Sequence, residues 1–135
     1  MMKTEMQIER DFYQFVKQSI GTSIAGNVYR FGMRPANAVT EDAVVKFLSG
    51  YDEQIQTGFV LLHVYIPEIV NADGRSVADL TRIGEVEDLI NDFVRTFDDA
   101  DYLISTDGTP YYTFNEELGQ YLVVARIRFQ RITND

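Results

Sequence analysis

Few side chains in this sequence combine the type and spacing that bond-making chemistry needs. The 135 residues include one histidine, His63, and no cysteine. A histidine acting as general base requires a pocket and a partner that orients it. His63 lies instead inside an apolar run, FVLLHVYI, and reads as a half-buried strand residue. Without cysteine, thiolate zinc sites, disulfide scaffolds and cysteine nucleophiles drop out together. A lone imidazole would bind metal only with carboxylates. Those are numerous but scattered. Asp98, Asp99 and Asp101 are close enough in sequence to hold a hard cation. They lack the alternating spacing and closing glutamate of a calcium loop, so they read as a solvated loop. Asp73-Gly74 and Asp107-Gly108 read as turns. The chain has no glycine-rich phosphate cradle ending in Lys-Ser or Lys-Thr, and no G-x-G-x-x-G. Arg126, Arg128 and Arg131 could meet phosphate, but their spacing of two and three better fits a solvated sheet face or a pairing with acidic residues of a neighbouring subunit. The expectation is a non-enzyme with no cofactor and no metal.

Binding is the better prospect. Tyr51, Tyr102, Tyr111, Tyr112 and Tyr121 make the sheet-forming segments rich in aromatic side chains, and aromatics at edges mark interfaces. The segments 102–106 and 111–115 flank Asp107-Gly108-Thr109-Pro110, which reads as a hairpin turn. That aromatic hairpin is the candidate oligomer interface, through Tyr102, Ile104, Tyr111, Tyr112 and Phe114. Asp98, Asp99, Asp101, Arg126 and Arg128 are the candidate charged positions, either between subunits or lining a lumen.

Two helices and six strands must position these residues. A helix over residues 5–20 is indicated by Thr4 and Gln7 at capping-box spacing and by Ile8, Phe12, Phe15 and Val16 on one face, with Gly21 as a left-handed stop. A short strand at 28–31 precedes a loop. AVVKFL at 43–48 reads as a strand, with a short helix as the competing reading because Glu41 and Asp42 suit a helix start. Residues 54–66 alternate and then turn apolar on both faces, the pattern of a central strand that Pro67 ends. NADGRS is a turn-rich loop. A second helix runs from 77 or 79 to 97, with Ile83, Val86, Ile90, Phe93, Val94 and Phe97 on its apolar face. Residues 120–132 form a long closing strand, with Tyr121, Val123, Ala125, Ile127 and Phe129 on one face. The order α-β-β-β-α-β-β-β implies an α+β fold, an antiparallel or mixed sheet with both helices on one face.

The length fits one domain, residues 1–135. Charges break up the N-terminal residues where a signal peptide needs an apolar run, and the longest apolar stretch is far short of a membrane span. A cytoplasmic protein with no membrane partner is expected. The formal charge of −9 opposes binding to the outside of nucleic acid, yet it suits a pore through which nucleic acid passes without sticking.

This succession of segments (ERDFYQFVKQSI, GNVYRF, VVKFLSG, IQTGFVLLHVYIPE, TRIGEVEDLINDFVRTF and QYLVVARIRFQRI) resembles the small tail-terminator and tail-completion proteins of long-tailed bacteriophages and prophages. The likeness spans nearly the whole chain and is one of element order and length. It implies a structural protein that forms a ring, typically hexameric, capping the tail tube and joining it to the head. Its partners would be further copies of itself, the tail-tube and the head–tail connector proteins. Its place would be the host cytoplasm and then the virion tail. The resemblance carries no catalytic residue. The alternative is a small cytosolic adaptor that recruits a protein through a sheet edge or the aromatic hairpin.

Overall fold

The computed structural model describes residues 2–132, so Met1 and residues 133–135 of the expected domain lie outside it. The first helix, α1, is Glu5–Gln18. Its capping box forms as the spacing predicts: the Gln7 amide donates to the Thr4 hydroxyl and the Thr4 amide to the Gln7 side-chain oxygen. The helix ends earlier than expected. The Ser19 hydroxyl donates back to the Phe15 carbonyl at 2.7 Å, and a single 3-10 turn, Ile20–Thr22, follows. Gly21 is not the left-handed stop, since positive φ occurs only at Gly32, Gly74, Gly108 and Gly119 among the described residues.

Among the described residues eight strands and one further helix follow: β1 (Val28–Arg30), β2 (Ala43–Tyr51), β3 (Ile55–Ile66), β4 (Ile69–Val70), β5 (Ser76–Val77), α2 (Leu80–Thr96), β6 (Leu103–Thr106), β7 (Tyr111–Asn115) and β8 (Gln120–Ile132). The NADGRS loop is thus the tip of a small separate ribbon, β4 with β5. AVVKFL is a strand, not a helix, and it runs past Gly50 to Tyr51. A bulge at Leu48 lets it continue, because the pairing with β3 shifts between Phe47 and Ser49.

Among the described residues the main sheet has the order β1-β2-β3-β8-β6, with β7 also on β8. It is mixed: β1 runs parallel to β2, and all other pairs are antiparallel. The alternation of β3 decides which side is buried. Val60, Leu62, Val64 and Ile66 face the helices and are buried, as are Val123, Ala125, Ile127 and Phe129 of β8. Ile8, Phe12 and Val16 of α1 and Ile83, Val86, Ile90 and Phe93 of α2 close the same core. Both helices therefore cover one face, and the α+β architecture is as the sequence indicates. On the other face of β3, Phe59, Leu61, His63 and Tyr65 are only half-buried, less than the doubly apolar pattern implies.

The expected hairpin over residues 102–115 does not exist. Gly108 supplies its turn, with φ of 82°, but β6 and β7 do not pair with each other. Both lie antiparallel to β8, β6 along Ile127–Gln130 and β7 along Gln120–Val124. Asp107-Gly108-Thr109-Pro110 bulges between two collinear pieces of one edge. The true hairpin is β7–β8, turned by Gly119 with φ of 64° and closed by the Gly119 amide on the Asn115 carbonyl.

One glycine is fixed by close approach. The Gly26 amide donates to the Glu41 carbonyl at 2.8 Å, and a Cβ there would collide with that carbonyl and with the Asp42 carboxylate. Gly84, within α2, has open space where its Cβ would be. Gly26→Ala is expected to destabilise the fold by roughly 1–3 kcal/mol, the cost of overpacking. Gly84→Ala is expected to stabilise it by about 1 kcal/mol through helix propensity. Urea unfolding midpoints of the two variants check both signs.

Candidate functional site

A parallel β1–β2 pair needs a crossover, and here residues 31–42 make it without a helix. One arginine holds this segment over the open face of the sheet. Arg34 Nε donates to Asp42 Oδ2 at 3.0 Å, Nη1 to Gln120 Oε1 at 3.0 Å and Nη2 to the Thr40 carbonyl at 3.1 Å. Its guanidinium also stacks 4.0 Å above the Tyr65 ring. Asp42 is fully buried and accepts from the Thr40 hydroxyl and the Asn27 amide as well. Gln120 Nε2 returns a hydrogen bond to the Ala38 carbonyl at 2.6 Å. The segment is thereby fastened at the start of β2 and at the start of β8. Burial alone would raise the Asp42 carboxyl, but the Asn27, Thr40 and Arg34 hydrogen bonds outweigh it and hold the group below its ordinary value.

Next to it, Glu41 is gripped at both oxygens by Arg82 from the first turn of α2, at 2.9 and 2.7 Å. Arg82 also donates to the Ser23 carbonyl at 2.6 Å. The two acidic residues just before β2 thus face opposite ways: Glu41 docks α2, and Asp42 docks the crossover.

Beneath the crossover a cavity of about 360 Å³ opens on the sheet. Phe31, Pro35, Val44, Leu61 and Leu118 form apolar walls, and Lys46, His63 and Tyr65 supply polar atoms. Lys46 sits two residues along β2 from the partner of His63, since Val44 pairs with His63 and Lys46 with Leu61. The Lys46 ammonium lies 4.4 Å from the centre of the Phe31 ring and has no carboxylate partner among the described residues. Burial pushes the His63 imidazole below its ordinary value and the Lys46 charge pushes it further, so the neutral form is favoured. The half-buried strand position expected of His63 is what the fold shows. The cavity lining contains no carboxylate.

The candidate interface residues divide. Tyr111, Tyr112 and Phe114 are 57%, 47% and 43% exposed on β7. Tyr102 is not at a surface. It is 3% exposed, packs edge-on against Phe12, Phe15 and Phe129, and donates its hydroxyl to Asp11 at 2.8 Å. Ile104 turns inward too and packs against the core. Asp98 and Asp101 are exposed between α2 and β6, with Asp99 accepting from the Asp101 amide in a tight turn. Arg126 lies apart from them, paired with Asp107 at 2.9 Å and stacked on Phe59 on the open sheet face. Arg128 is on that face as well, paired in register with Phe59 and Ser105. The crossover network and the Lys46–His63 pair were not singled out from the sequence. An arginine in an aperiodic loop, followed by strand residues, is the one weak signal the sequence carries for them.

No helix among the described residues is long and apolar enough to cross a membrane. No protein-family model matches the chain, and no curated protein matches it.

The His63 shift has a sign in stability. Its folded value is depressed, so between 6.5 and that lower value the unfolded chain binds more protons. Stability is full above 6.5 and falls as pH drops through this window. Asp42 acts in the same direction at lower pH, through the ordinary carboxylate range. His63→Phe is expected to flatten the dependence of the urea midpoint on pH just below 6.5 while leaving the steeper acid limb in place.

Proposed function

We propose that this chain is a structural assembly protein that closes into a homo-oligomeric ring at the end of a phage or prophage tail, as a tail terminator, a tail-completion protein or a head–tail joining factor. The observation that carries the reading is the outer edge of β7. Its only partner among the described residues is β8, and Tyr111, Tyr112 and Phe114 stand exposed along it. Natural folds protect such edges with charge, proline or cover, and an apolar edge left open is a template for another chain. β1 is the free edge at the opposite side of the sheet and differs from β7 in length and sequence. A contact joining one edge to the other is head-to-tail, and such contacts generate rings when the rotation closes.

The acidic balance supports the same role. A charge of −9 and the exposed Asp98 and Asp101 would keep passing DNA from adhering to a lumen. The adaptor reading uses the same β7 edge for one unlike partner, with the aromatic side chains of β7 alone in place of the hairpin.

Light scattering over about a hundredfold range of concentration separates the two, because mass action drives self-association. The expected result is growth to a closed multiple, six being favoured, and a monomer for the Tyr111→Lys/Tyr112→Lys double variant with its circular dichroism unchanged. A wild-type monomer throughout, with one host protein captured on the β7 edge, would move the assignment to the adaptor.

A further inference from the structure

The cavity under the crossover is independent of the β7 edge and of the ring reading. It has three properties of a ligand site. Its volume of about 360 Å³ falls in the range of small-molecule pockets. Its walls are apolar, from Phe31, Pro35, Val44 and Leu61. Two of its polar groups are open to a ligand: Lys46 touches the Phe31 ring but has no carboxylate partner, and the His63 ring nitrogens make no hydrogen bond, among the described residues. Arg34, the other cation in the lining, is already committed to Asp42, Gln120 and Thr40.

The geometry points to a binding site for a small apolar monocarboxylate, an aryl- or alkyl-acetic acid, with its carboxylate on Lys46 and the His63 N–H and its apolar body against Phe31 and Leu61. The charge follows from the count of free cations. Lys46 offers one positive charge in a protein of net charge −9, which balances a monoanion and leaves a phosphate dianion in excess. A neutral His63 adds a donor without a second charge. The apolar body follows from the walls, which would leave an acetate-sized anion without contacts. The crossover itself, clamped through Arg34 and Gln120, gives the site a preformed roof.

The single histidine makes the test direct, since its ring signals in a heteronuclear NMR spectrum are unique. Phenylacetate is added to the full chain, with phenylacetamide and acetate as the uncharged and the bodiless controls. The expected result is a saturable shift of the His63 ring signals with phenylacetate and none that saturates with either control. Lys46→Met keeps the stem over Phe31 and removes the charge, so binding should weaken by about tenfold or more, the scale of one lost charge-assisted hydrogen bond. Lys46→Arg should retain it. Thermal unfolding of both variants shows that the fold is intact. Equal affinity for phenylacetate and phenylacetamide, unchanged binding by Lys46→Met, or no saturation with phenylacetate up to its solubility would overturn the site.

Discussion

Strand β8 has to satisfy backbone hydrogen bonds on both sides along its whole length, and most of the molecule follows from how it does so. On one side β3 matches it from Ile55 against Ile132 to Ile66 against Tyr121. On the other side no single segment is long enough, and two shorter ones, β6 and β7, lie end to end. A buried peptide group without a partner is costly, so the strand at the centre cannot be left half-paired. The pairing with β3 also sets the two-residue alternation in phase, which sends Val60, Leu62, Val123, Ala125, Ile127 and Phe129 to one face. The amphipathic faces of α1 and α2 then have one place to go. Gly58 of β3 has no room for a side chain: a Cβ there would meet Phe129 Cζ at 2.8 Å and collide with the Ser49 carbonyl. The same arrangement that completes β8 leaves β7 as an outer strand whose far side is open.

A second constraint acts at the other edge. Placing β1 parallel to β2 obliges the chain to travel back along the sheet, and residues 31–42 do so without a helix. An aperiodic segment has no hydrogen-bond ladder of its own, so side chains replace it. The buried Asp42 carboxylate is stabilised because three donors meet it, one of them the Arg34 guanidinium. Removing any one donor would leave a charge in the interior with fewer partners than its desolvation requires. This clamp joins residues 86 positions apart, Arg34 and Gln120, and it shapes the cavity that holds His63 and Lys46.

The elements that were legible in the sequence are those whose signal is local. The capping box at Thr4 and Gln7, the three-and-four spacing of Ile83, Val86 and Ile90, and the alternation of residues 120–132 each carry their own period. What was not legible depends on distant partners. Asp107-Gly108 correctly marks a turn, but a turn fixes φ and not the strand with which its flanks pair, so the hairpin expected there became a broken edge on β8. Tyr102 looks like a surface aromatic in its own segment. Its burial is decided by Phe12 and Asp11, about ninety positions earlier in the chain. His63 was readable as a strand residue, whereas its cavity was not, because the roof is a loop with no periodicity. The bulge at Leu48 was equally silent; it falls between the Phe47–Val60 and Ser49–Phe59 pairs, and Gly50 and Gly58 pair just beyond it.

The proposed assembly runs through the outer edge of β7. Its exposed aromatic side chains and open backbone side are properties of the single chain, and they have a direct signature when chains associate. Hydrogen exchange of the backbone amides, followed at low and at high protein concentration, reads that signature residue by residue. Outward-facing amides within Tyr111–Asn115 are expected to gain protection as concentration rises, while the amides of β3, already enclosed by β2 and β8, stay as they are. Exchange along β7 that is unchanged with concentration, in a sample that nevertheless assembles, would contradict it and place the contact on another surface.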